Sequence, residues 1–240
     1  MQFIGPSFKK GPYPALFYFA LSKEETLHQD PYNQLVQFLA DSPIRIFSFT
    51  LPFHEKPFDK NTAMKKWAEE MEKGHDFFRP FLDQVKDAIK SLIQNNLTYE
   101  DTIAVAGLSR GGMVASHVAA ENPDIRYILE FAPVTNLSFM KNFHHISDHP
   151  LVKKYSVYSL VPLLCDRHIR IYIGNYDKTV GTKNSFLFLE QLSQTALAQR
   201  IKPPKIEMVI SPAIGYQGHG TSPETFKAGA DWILKKLTSL

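Results

Sequence analysis

Short apolar runs alternate with amphipathic stretches along nearly the whole chain. Residues 15–20, 44–49, 102–106, 127–131, 169–173 and 206–210 are runs of five or six, rich in β-branched and aromatic side chains. That length and composition predict buried strands. Between them, apolar residues recur at helical spacing. The clearest case is Phe78, Leu82, Val85, Ile89 and Leu92, which fall on one face of a helix. Asp30-Pro31 predicts an N-cap and a first-turn proline for a helix ending near Ala40. Further helices are predicted over 61–71, 113–121 and 184–198, and a last one after Ser222-Pro223 with Phe226, Ala230, Ile233 and Leu237 turned inward. Repeated strand–helix–strand order predicts an α/β fold: a mainly parallel sheet with helices on both faces, joined by right-handed crossovers. Six strands are supported, and residues 2–4 add a seventh at an edge.

Composition narrows the class. The 240 residues suit a single domain spanning the chain, with a small cap-like insertion around 137–160. Net charge is +3 and the basic residues are scattered in short pairs such as Lys9-Lys10 and Lys235-Lys236, so no nucleic-acid partner is expected. Cys165 is the sole cysteine, which rules out an internal disulfide; a buried structural thiol and a cytoplasmic location are the expectation. No run approaches the roughly 18 apolar residues a membrane span needs, and Gly5-Pro6 and Gly11-Pro12 interrupt the start of the chain, so neither a spanning helix nor a signal peptide is expected.

Chemistry enters at Gly107-Leu108-Ser109-Arg110-Gly111-Gly112, between the predicted strand 102–106 and the predicted helix 113–121. A Gly-x-Ser-x-Gly between strand and helix is the sequence form of a nucleophile elbow, in which a tight turn presents the serine at the carboxyl end of the sheet. A serine hydroxyl needs a base, and the base an orienting acid. In parallel sheets such groups gather at the carboxyl ends of strands. Asp177 follows the strand 169–173, and His219 follows the strand 206–210 in a glycine-flanked loop. Taken singly, Asp177 also reads as a turn-forming aspartate and His219 as a solvated loop histidine. The order Ser109, Asp177, His219, at three strand ends, is that of an α/β-hydrolase.

With these residues the chain resembles the α/β-hydrolase superfamily along nearly its full length. The elbow, together with Phe131-Ala132-Pro133-Val134-Thr135-Asn136-Leu137, is similar to the catalytic domain of the prolyl oligopeptidase and dienelactone hydrolase branch. The resemblance implies hydrolysis of an ester, thioester or peptide through an acyl-enzyme on Ser109, with no metal or organic cofactor. It also implies an oxyanion hole made by the Arg110 N–H and a backbone N–H after the first central strand. Many relatives carry His-Gly there; this chain has Ala20-Leu21-Ser22, so the second donor is assigned to Leu21 or Ser22.

Phe53, His54, Trp67, Phe139 and Phe143 are candidate pocket residues, on segments placed to fold over the sheet, with core packing as the alternative for the aromatics. His144, His145, Asp148 and His149 match no metal-ligand spacing, and no metal site is expected. The resulting expectation is a serine hydrolase of carboxylesterase type, acting on a small acyl substrate. The alternatives are a peptidase or thioesterase with the same three residues, or a binding or scaffold protein whose triad is idle. Neither substrate identity nor oligomeric state can be read from the chain.

Overall fold

The computed structural model describes residues 1–238. In chain order its main elements are β1 (Gln2–Ile4), β2 (Ala15–Phe19), α1 (Lys23–His28), α2 (Gln34–Leu39), β3 (Arg45–Ser48), α3 (Ala63–Glu72), α4 (Phe78–Gln94), β4 (Ile103–Leu108) and α5 (Arg110–Glu121). They continue with β5 (Ile125–Phe131), α6 (Pro150–Lys154), α7 (Val161–Leu164), β6 (His168–Gly174), α8 (Thr182–Ala198), β7 (Ile206–Ser211) and α9 (Pro223–Thr238). One seven-stranded sheet runs β1-β3-β2-β4-β5-β6-β7, parallel except for β1, which pairs antiparallel with β3. All the expected strands are present, the edge strand included.

Alternation along β2 sets the two layers. Ala15, Phe17 and Phe19 face a core shared with α3, α4, α5 and α8, where Trp67, Phe78, Met113 and Phe188 are buried. Leu16 and Tyr18 face the opposite core, closed by α2 and α9 through Leu35, Leu39, Phe226 and Ile233. The predicted stripe on α4 is fully buried, as are the inward residues of α9. Cys165 is buried and free.

Three local expectations change. The helix expected from Asp30 begins at Gln34, because the Asp30 carboxylate accepts from the Gln34 side chain (3.3 Å) rather than capping backbone N–H groups. An unexpected helix, α1, precedes it. Its start is a reciprocal capping box between Ser22 and Glu25, carried by Ser22-Lys23-Glu24-Glu25. Residues 137–160 do not cap the site at Ser109. They form short helical turns that bury Phe143, Val152, Tyr155 and Val157 against the α3–α5 face, and none of them lines the cavity there.

Arg45, on β3, is fully buried. Its Nε donates to the Pro6 carbonyl (2.8 Å), Nη1 to Leu97 (2.5 Å), and Nη2 to Ser7 (2.9 Å) and Gly11 (2.7 Å). The Phe8 and Tyr13 rings stack on it at 4.9 and 5.0 Å. No helix among the described residues is long and apolar enough to cross a membrane.

Candidate active site

β4 ends at Leu108, and α5 starts at Arg110, so Ser109 must make the whole reversal. Its φ of 56° and ψ of −117° are strained for a residue with a side chain. Three backbone hydrogen bonds hold that strain in place. Ser109 N–H donates to the Phe131 carbonyl (2.8 Å), and the Ser109 carbonyl accepts from Gly112 (3.0 Å) and Val134 (3.0 Å). The Ala-Pro-Val segment therefore buttresses the elbow. Gly107 and Gly111 are required by close approach: a β-carbon at Gly107 would overlap the Gly111 carbonyl, and one at Gly111 would overlap the Phe19 carbonyl.

Asp177 lies in the loop after β6 and is buried. Its Oδ1 accepts from Thr179 N–H (2.9 Å) and Val180 N–H (3.0 Å), so the turn-forming role and the site role coexist in one carboxylate. The loop after β7 is clamped onto this turn, since Lys178 N–H donates to the Gln217 carbonyl (2.9 Å). Gly218, at φ 76°, passes so close to the Tyr176 carbonyl that a side chain there would clash. His219 Nδ1 consequently meets the free Asp177 Oδ2 at 2.7 Å, and His219 Nε2 lies 2.9 Å from Ser109 Oγ. A carboxylate only accepts, so Nδ1 carries the proton and Nε2 offers a lone pair to the serine hydroxyl. This arrangement can draw the proton from Ser109 Oγ as it attacks a carbonyl carbon.

Ser109 and His219 open onto a cavity of about 340 Å³. Ala20, Leu21, Pro31, Leu108, Ile214 and Phe226 supply apolar lining, and Tyr32, Lys60, Asn61 and Arg110 polar lining. Arg110 begins α5, where no earlier helical carbonyl exists for its N–H, so that donor is unpaired beside the serine. The other expected donors are engaged. Leu21 N–H donates to Thr26 Oγ1 (3.1 Å), and Ser22 N–H to Glu25 Oε2 (3.4 Å) within the capping box. Leu21 lies on the cavity wall and Ser22 does not.

None of the five expected pocket residues lines this cavity. Trp67 and Phe143 are fully buried in the core, Trp67 Nε1 donating to the Pro52 carbonyl (2.8 Å). Phe53 packs against Phe58 and Phe77, because a positive φ of 61° turns it into that cluster. Phe139 is exposed beside the Asp177 turn, on the side away from Ser109. His54 is buried behind Arg110: its Nδ1 donates to the Pro52 carbonyl (2.8 Å), and its Nε2 accepts from Arg110 Nη1 (3.1 Å). Burial, reinforced by the Arg110 charge, pushes the His54 imidazole down to about 4. Tyr32, Lys60 and Asn61 escaped sequence reasoning, since they belong to a loop and a turn with no catalytic pattern.

Among the described residues no group of three or more His, Cys, Asp or Glu side chains is placed to hold a metal ion. His144 instead reaches the Phe139 carbonyl, His149 the Leu151 N–H, and Asp148 pairs with Lys153.

The esterase family model matches residues 5–208, most of the chain. The chain belongs to the esterase family. That match ends before the loop carrying His219, which therefore lies outside the matched residues. Among solved structures, dipeptidyl peptidase 4 of Porphyromonas gingivalis aligns with a TM-score of 0.65 at 17% identity, over 97% of this chain and 33% of its own. An esterase of Pyrococcus furiosus gives 0.63 at 18% identity, over 94% and 83%. The S-formylglutathione hydrolase of Agrobacterium tumefaciens gives 0.59 at 15% identity, over 98% and 89%. These likenesses show the fold, which is that of the α/β-hydrolases. The chain spans about a third of the length of the dipeptidyl peptidases it matches. No curated protein is similar enough in sequence to count as a relative.

Proposed function

We propose that this esterase-family protein is a serine carboxylesterase that cleaves small acyl esters through an acyl-enzyme on Ser109. The observation that carries the reading is the continuous path from Asp177 Oδ2 to His219 (2.7 Å) and from His219 to Ser109 Oγ (2.9 Å), opening on a cavity. Ser109 Oγ attacks the ester carbonyl carbon while its proton passes to His219 Nε2. Asp177 keeps the ring oriented and stabilises the imidazolium. Collapse of the tetrahedral intermediate breaks the carbon–oxygen bond to the alcohol, which leaves with the proton from His219. Water, deprotonated by the same nitrogen, then releases the acid and restores Ser109.

The Arg110 N–H is the ready donor to the oxyanion. Leu21 N–H joins it when a substrate oxygen shares or displaces Thr26 Oγ1. Loss of one such donor lowers the rate by about a hundred- to a thousandfold. The engaged Leu21 N–H is the one observation favouring the idle-triad alternative, and a single experiment separates the two. An active esterase hydrolyses short p-nitrophenyl esters and is labelled at Ser109 by a fluorophosphonate. Ser109→Ala abolishes labelling and lowers kcat by up to about a million-fold. Unlabelled folded wild type, or undiminished turnover in Ser109→Ala, rejects the esterase.

A further inference from the structure

Arg110 is used by the proposed chemistry only through its backbone, yet its side chain is the least balanced charge in the molecule's interior. The guanidinium is half-buried on the cavity wall, and only Nη1 has protein partners among the described residues: the Lys60 carbonyl (2.8 Å) and His54 Nε2 (3.1 Å). Ion pairs take in Arg79, Arg167 and Arg170, whereas no carboxylate lies within the 4.0 Å ion-pair distance of Arg110 among the described residues. Desolvation pushes the guanidinium down to about 10.

Glu25 and Tyr32 relieve it only in part. Lys60 Nζ sits 3.3 Å from Glu25 Oε1 and 4.6 Å from the centre of the Tyr32 ring, so Lys60 and Glu25 neutralise each other. Glu25 Oε2 is further occupied by Ser22 Oγ at 2.7 Å. His54 is uncharged at neutral pH and can only accept from Arg110. One uncompensated positive charge is left at the cavity wall, next in sequence to the nucleophile. Its Nε and Nη2 donors face no protein acceptor, and an arginine fork is matched in shape to a carboxylate. A buried cation without a counterion is costly unless an anion arrives with a ligand.

We propose that the Arg110 side chain makes the cavity selective for esters that carry a second, free carboxylate, the half-esters of short dicarboxylic acids. Arg110 binds the carboxylate while Ser109 attacks the ester carbonyl at the other end of the acyl chain. This rests on the esterase reading for turnover but not for binding.

The test compares mono-p-nitrophenyl glutarate with p-nitrophenyl valerate, acyl chains of matched length that differ in charge. Wild type is expected to favour the glutarate in kcat/KM by roughly ten- to a hundredfold, mostly through KM, the range for a hydrogen bond to a charged group. Arg110→Gln is expected to abolish that ratio, and Arg110→Lys, with charge but no fork, to keep part of it. Succinate and adipate half-esters give the chain length that the cavity spans. Calorimetry with monomethyl glutarate on Ser109→Ala reads the same site without turnover, and adding Arg110→Gln or Arg110→Lys is expected to weaken binding about tenfold or more. If valerate is hydrolysed and the ratio is near one, or is unchanged in both Arg110 variants, the selectivity is overturned and the esterase stands. If neither ester is cleaved while binding still depends on Arg110, the esterase falls and the carboxylate site stands.

Discussion

Arg45 and Arg110 are both drawn into the interior at the sheet, and they are treated oppositely. Arg45 has every guanidinium nitrogen committed to backbone carbonyls and two aromatic rings stacked against it. Arg110, on a cavity wall, has one nitrogen committed and two without a protein partner among the described residues. The first ties the N-terminal segment and the turn before β4 to the edge of the sheet, and its charge is dispersed over carbonyl dipoles. The second leaves donors unspent beside Ser109. A buried charge with complete hydrogen bonds marks structure, whereas donors left unpaired beside a cavity are what the proposed carboxylate site rests on.

Stability measurements can break that contrast. Arg45→Met leaves the Pro6 and Gly11 carbonyls without a donor, and Leu97 and Ser7 with only one. It is expected to cost about 4 kcal/mol in urea unfolding. A loss below about 1 kcal/mol would mean that water replaces Arg45 freely, and the distinction would fail.

Next in size is a pH effect at His54, beside Arg110, to which the similarly depressed His117 and His168 add their own. His54 is held from its usual 6.5 down to about 4, chiefly by burial and secondly by Arg110. In that window the unfolded chain binds a proton that the folded chain refuses. Stability is therefore complete above pH 6.5 and falls as pH drops towards 4, by about 3 kcal/mol from this group. His54→Gln is expected to remove that part of the acid slope in pH-dependent melts. An unaltered slope would show that His54 is not the group being strained.

The smallest effect sharpens the comparison most. Arg110→Gln forfeits two hydrogen bonds but also relieves an uncompensated charge, so its folding stability is expected to stay within about 1 kcal/mol of wild type. Equal losses for Arg45→Met and Arg110→Gln would make both residues structural.

Periodicity made the sheet legible: residues two apart on β2 face different cores from their neighbours, and the α4 stripe is the inward face of a long helix. Glycine spacing made the elbow legible, because two backbone approaches leave no room for a β-carbon. Where local signals compete, structure departs from pattern, as at Asp30, whose side chain bonds Gln34 rather than capping a helix. The aromatic residues of 53–67 and 139–143 carry the same apolar signal whether they line a pocket or fill a core, and here they mostly fill it.

The chain by itself determined the order of strands and helices, the strained serine and the three side chains of the relay, since all of these follow from local spacing and steric necessity. The tertiary structure alone decided what surrounds that relay. Tyr32, Lys60 and Arg110 meet through loops distant in sequence, and whether a buried cation finds its acceptors inside the protein depends on packing that no local pattern encodes. Long-range electrostatic balance is a property of the assembled interior.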